Sequence, residues 1–162
     1  MSVENVLAGL AVVENRIKGV TNGVNHVYDY PPNSLNSADL PCFVNIPGKE
    51  RVRWDGGSDE AETAGLATRV YHCLLYVIPR AAGVSGEVVK VTVPVLDVAR
   101  TIFQSSQTLG GQKFIMSVNY LGDSGVRELK YASSGGMDMG YMGVEFQVEV
   151  TERIVAYYAS GE

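Results

Sequence analysis

Charge is scarce in this chain. Only 19% of its 162 residues are Asp, Glu, Lys or Arg, against 46% hydrophobic residues, which argues against a disordered polyelectrolyte and for a packed core. Cations are scarcer than anions, 13 against 18, for a net charge of -5. A nucleic-acid-binding surface would therefore need a local basic cluster working against the overall field. The densest basic pair, Arg51 and Arg53, is followed at once by Asp55, Asp59, Glu60 and Glu62, so no basic patch is legible. An acidic wall suits DNA that slides past better than DNA that is held. The two cysteines, Cys42 and Cys73, sit in apolar, strand-like surroundings without Cys-x-x-Cys or Cys/His spacing, so buried, reduced thiols are expected. No stretch approaches the ~20 apolar residues of a membrane span, and the start lacks a basic segment leading into an apolar core. These absences lead to the expectation of no membrane association, with use in a reducing cytoplasm or assembly there into something larger.

What is present fits one domain, residues 1–162, long enough to bury a core without a disulfide or a structural metal. Val3, Val6, Leu7, Leu10, Val13 and Ile17 recur at helical spacing after Ser2 and stop at Gly19, predicting a first helix. A short extended piece, His26 to Tyr30, and a loop, Asn33 to Pro41, follow. Strands are predicted at Cys42–Ile46, closed by Pro47-Gly48, at Arg51–Asp55, and at Thr68–Ile78, with Gly56 to Gly65 as a solvated excursion. Both faces of Thr68–Ile78 are mostly apolar, implying burial on both sides. Val88 to Val95 is β-branched enough to look extended, yet Pro94 suits a first helical turn. A second helix is accordingly predicted from Val93 to Thr108. A hairpin is expected next, Phe114–Leu121 and Val126–Tyr131 about a Gly122-Asp-Ser-Gly125 turn. The last strand, Gly143–Thr151, alternates perfectly: Val144, Phe146, Val148 and Val150 on a dry face, Glu145, Gln147, Glu149 and Thr151 on a polar one. The implied fold class is α+β, a mixed or antiparallel sheet with two main helices on one face and long edge loops.

Candidate chemistry is thin. Gly122-Asp-Ser-Gly125 echoes the nucleophile motif of chymotrypsin-like serine proteases, and Ser124 with His72 as its base would make a small serine hydrolase. The same four residues are also what a turn selects on backbone grounds, and a lone His72 on an apolar strand fits a satisfied core residue. The carboxylates of Gly56 to Glu62 lack the spacing of a calcium loop, and Gly110-Gly-Gln-Lys113 lacks the frame of a phosphate cradle. Glu145, Gln147, Glu149 and Glu152 suggest an acidic solvent or lumen face with no accompanying base. No cofactor, metal or catalytic residue is implied. The Ser133–Met142 loop, rich in Gly, Met and Tyr, has the adaptable apolar composition of a contact surface, with Met residues folded back onto the core as the other reading.

The amphipathic helix, the Pro-Cys-Phe-Val-Asn-Ile strand at Pro41–Ile46, the long apolar strand, the central helix and the closing Met-Gly-Tyr-Met-Gly-Val-Glu-Phe-Gln-Val-Glu-Val-Thr-Glu together resemble the tail terminator, or tail completion, proteins of long-tailed bacteriophages. The resemblance spans nearly the whole chain through element order and strand pattern, and departs from the family at Gly19–Asp39 and Arg51–Gly65. It implies a homo-oligomeric ring, a hexamer, that stops tail tube growth and joins the head connector. The expected partners are copies of itself, the major tail tube protein and a head completion or connector protein. The genome DNA would cross the lumen without specific binding, in a virion assembled in the host cytoplasm. A head-closure or other neck protein is the neighbouring alternative. Expected contact residues are Met137, Met139, Tyr141 and Met142 in the late loop, Arg51, Arg53 and Trp54 in the earlier one, and Tyr71 and Tyr76 on the doubly apolar strand.

Overall fold

Helical spacing of apolar residues and two-residue alternation sort this chain into helices and strands, and burial joins them. The computed structural model describes residues 2–55, 62–82, 85–132 and 138–157. In chain order it contains α1 (Ser2–Val20), β1 (His26–Val27), β2 (Cys42–Trp54), β3 (Glu62–Pro79), α2 (Ser85–Ser105), β4 (Ile115–Ala132) and β5 (Asp138–Tyr157), with 3-10 turns at Ser37–Asp39 and Arg80–Ala82. The strands form one sheet in the order β1-β2-β3-β5-β4. β1 runs parallel to β2, and the remaining neighbours are antiparallel. This is the expected α+β architecture.

Both helices pack on one face of the sheet. Val6, Leu7, Leu10, Val13 and Ile17 of α1 and Val88, Val95, Ala99 and Phe103 of α2 are buried against Phe43, Tyr71, Cys73, Leu75, Val118, Val144, Phe146, Val148 and Val150. The alternation of β5 is therefore realised as expected. Phe146 sits among Phe43, Phe103 and Tyr120, with ring centroids 5.9, 6.1 and 6.5 Å away, tilted contacts that add to the area they bury.

The opposite face is half covered. Over its upper half, the segment between β1 and β2 folds back so that Tyr28, Leu35 and Leu40 pack near Cys42, Val44, Tyr76, Leu129 and Tyr141. Tyr76 is met edge-on by Tyr131 and Tyr141 at 5.5 and 5.4 Å, and the Tyr131 hydroxyl donates to the Pro32 carbonyl. Gly143 lies beneath this second core. A Cβ there would fall 2.0 Å from the Leu75 carbonyl oxygen, so only glycine admits the close approach of β3 to β5.

Several expected boundaries are corrected. β2 is one strand where two were expected. Pro47-Gly48 forms a bulge in the register, and β1 pairs with only Cys42 and Phe43, so Pro47 sits where the outer edge has no strand to bond and its missing donor costs no ladder bond there. Arg69 clamps the bulge, donating to the Gly48 carbonyl at 2.7 Å and pairing with Glu50 at 2.7 Å. β3 begins at Glu62, inside the expected excursion, because Glu62 to Ala64 pair with β5 and Gly65 to Ala67 pair with both β2 and β5, and the rest of that excursion, residues 56–61, lies outside the described residues.

α2 starts at Ser85, so the β-branched Val88–Val95 run is helical and Pro94 is internal. Burial of Val88 and Val95 outweighs the weak propensity, and the buried Thr92 hydroxyl is satisfied within the helix by the Val88 and Val89 carbonyls. The expected hairpin at Gly122–Gly125 is absent. β4 runs straight through it, pairing with β5 along its length and absorbing extra residues as bulges. Gly122 and Gly125, at φ 126° and 69°, permit the bulge, and Asp123 accepts the Gly125 N–H at 2.7 Å.

Candidate interaction surface

The face opposite the helices runs row by row across β2, β3, β5 and β4. In its middle, Ile46, His72 and Gln147 lie side by side, followed by Val44, Leu74 and Glu145. Glu145 is the hub. One carboxylate oxygen takes His72 Nδ1 at 3.0 Å and Gln147 Nε2 at 2.8 Å, and the other takes Arg127 at 2.7 Å. Burial by itself would raise its pKa, but the bonds from Gln147 and His72 and the charges of His72 and Arg127 prevail and hold it below the usual carboxylate range. The acidic face thus has the basic partners that spacing did not show. Glu152 leaves that face altogether: it pairs across to Ala67, on the side of the helices, and is buried.

Ser124 and His72 are not joined as nucleophile and base. The imidazole turns Nδ1 toward Glu145 on β5, while Nε2 lies on the β2 side, beside Gly48. Ser124 stands on β4, beyond β5. Its hydroxyl donates to the Gly125 carbonyl at 2.8 Å and accepts the Glu145 N–H at 2.9 Å. It fills the place in the ladder that the bulge vacates, a structural task that accounts for a serine there.

Further along, the sheet outruns its cover. Arg53, Leu66 and Arg153 are lateral neighbours on β2, β3 and β5, and the Arg153 N–H donates to the Phe114 carbonyl at 2.9 Å, where β4 begins. The next row holds Arg51, Thr68, Thr151 and Ser117. Two open hollows mark this area, one of about 590 Å³ lined by Lys113, Phe114, Met116, Arg153 and Val155, the other of about 500 Å³ lined by Arg51, Val52, Arg53, Leu66, Thr68 and Thr151. Phe114 and Met116 are 65% and 60% exposed. Arg51 reaches Glu149 at 3.9 Å, whereas Arg53, Arg153 and Lys113 form no ion pair with any described residue. A cationic patch therefore exists where the linear sequence showed none, because its members come from three separate stretches. Comparison of the sequence with protein-family models finds no match, and comparison with curated proteins finds none.

The expected contact residues divide. Arg51, Arg53, Trp54 and Met139 are exposed, and the first three border the cationic end. Tyr71, Tyr76 and Tyr141 are buried inside the folded chain and are not available as surface contacts. Apolar surroundings on both faces of β3 are met by the helices on one side and by the segment preceding β2 on the other. Met142 is half-buried against the main core, as the fold-back reading had it, and Met137 lies outside the described residues.

The sheet's edges are guarded. On the outer side of β4, Gln107 receives the Val118 N–H at 3.1 Å and donates to the Val118 carbonyl at 2.8 Å, while Gln104 receives the Tyr120 N–H at 2.8 Å. These two side chains act as a substitute strand. With Pro47 and the bulge on β2, they leave the face, more than the edges, open to a partner.

Among the described residues, Glu14 is a buried titratable group outside this surface. It is fully buried on α1 and accepts from Asn45 Nδ2 at 2.6 Å. Burial, only partly opposed by bonds from Asn45 and Cys73, pushes its pKa up to about 8. Both cysteines are buried and free, and burial pushes the Cys42 thiol up to about 12, so neither is a ready thiolate. Among the described residues no three His, Cys, Asp or Glu side chains cluster as metal ligands, and no helix is long and apolar enough to cross a membrane.

Proposed function

We propose that this chain is a non-enzymatic structural subunit of a homo-oligomeric ring, the ring at the head-proximal end of a phage tail that ends tube growth and receives the head connector. The observation that carries the proposal is the uncovered end of the sheet, where Leu66, Phe114, Met116 and Val155 are exposed together beside four cations. Apolar groups gathered in this way serve contact with other protein surface, which for a terminal ring is that of its tube and connector neighbours. The glutamine caps on β4 and the Pro47 bulge on β2 interrupt the edges and favour such contact on the face. The element order, with a helix before each run of long strands, supports the resemblance to tail terminators. The net charge of -5 suits a conduit that lets DNA pass.

Mass photometry and negative-stain microscopy of the purified chain test this. The expected species is a ring of six 17.5 kDa subunits that binds the end of purified tail tubes. A chain that stays monomeric at high concentration and ignores tubes would overturn the proposal.

A further inference from the structure

We propose that the uncovered end of the sheet docks a second protein, other than a copy of this chain, through a segment that presents apolar and carboxylate side chains on one and the same face. The ring reading supplies the setting for this inference and nothing of its chemistry. Arg53 and Arg153 flank Leu66 across β3, which places the two guanidinium stems about 10 Å apart, two strand spacings. Neither makes an ion pair with a described residue. Phe114 continues the row and Met116, Val155 and Lys113 line the adjoining hollow.

An apolar ridge laid over Leu66, Val155 and Phe114, with carboxylates to either side, meets every element of this surface. Arginine grips a carboxylate with two parallel hydrogen bonds, and arginine around an apolar centre is the composition of protein interfaces. A nucleic acid fits less well. Its phosphates would meet the arginines but would strand Leu66, Met116 and Val155 against a polar backbone.

The test uses the full chain and a short fluorescein-labelled peptide that carries glutamate, leucine and phenylalanine at every second position, so that all share one face. Its controls are the same peptide with lysine for glutamate, labelled oligothymidylate and a labelled DNA duplex. Fluorescence polarisation reads binding. The acidic peptide should bind and weaken with added salt. Arg53→Glu with Arg153→Glu should cost roughly tenfold or more in affinity, and Arg53→Gln with Arg153→Gln should weaken binding in a variant free of new repulsion. Circular dichroism confirms folding of both. Absence of acidic-peptide binding, affinity unchanged in the folded double variants, or tighter binding of either nucleic acid would overturn the proposal. Mass photometry of the same samples keeps the two readings apart: rings that fail to bind the peptide sink only this inference, and monomers that bind it sink only the ring.

Discussion

Glu14 lies on the buried stripe of α1, between Leu10 and Ile17, with no cation beside it. Its second oxygen, Oε2, and the Asn45 carbonyl oxygen are both buried without a hydrogen-bond partner. A protonated carboxyl removes that conflict, since an O–H can donate where a carboxylate cannot. The folded-state pKa of about 8 stands above the ordinary 4.5, so the folded chain holds the proton more tightly than the unfolded one. The stability this gives is complete below the unfolded pKa and is lost as pH rises through the folded value. Glu14→Gln keeps the shape and cannot ionise. It is expected to match the wild type near the acid end and to exceed it above pH 8 by on the order of a few kcal/mol, measured by urea denaturation across pH. The signal was legible, a glutamate at helical spacing within an apolar stripe. What spacing could not show was the partner, because Asn45 reaches it from a strand 31 residues away.

At the scale of elements, the outer edge of β4 is closed at Val118 and Tyr120 by Gln104 of α2 and by Gln107 just after it. Replacing Gln104 and Gln107 together by alanine should expose the backbone of Val118 and Tyr120, at a cost of roughly 1–3 kcal/mol. Hydrogen exchange of those two amides should rise more than that of β3, and a rise no greater than elsewhere would remove the capping role. Two glutamines near a helix end carry no pattern that sequence could flag. The same limit explains β4 itself. Glycine, aspartate and serine permit positive φ in a hairpin turn and in a bulge alike, so Gly122-Asp-Ser-Gly125 specified local backbone freedom but not the partner strand. Pairing with β5 on both sides of the bulge decided it.

For the whole molecule, apolar residues fall into two populations. Phe146 is fully buried, and Phe146→Ala should cost about 3–5 kcal/mol. Phe114→Ser with Met116→Ser should shift chain stability by about 0.5 kcal/mol or less, since neither side chain belongs to the core. Thermal and urea unfolding of the two variants check this contrast, and a large loss in the surface variant would mean that Phe114 and Met116 support the fold. Their exposure is what sets this surface apart for docking. It assembles from β2, β3, β5 and β4, so residues separated by up to a hundred positions become neighbours.

By itself the sequence determined the α+β class, the helical stripe of α1, the dry face of β5 and the buried thiols, all of which follow from spacing and burial along one continuous segment. The tertiary structure alone decided the strand order, the continuity of β2 and β4, the pairing of Glu145 with Arg127 and His72, and the gathering of Arg51, Arg53, Arg153 and Lys113. Those depend on which segments lie side by side, and lateral register in a sheet is set by long-range packing that no local periodicity encodes.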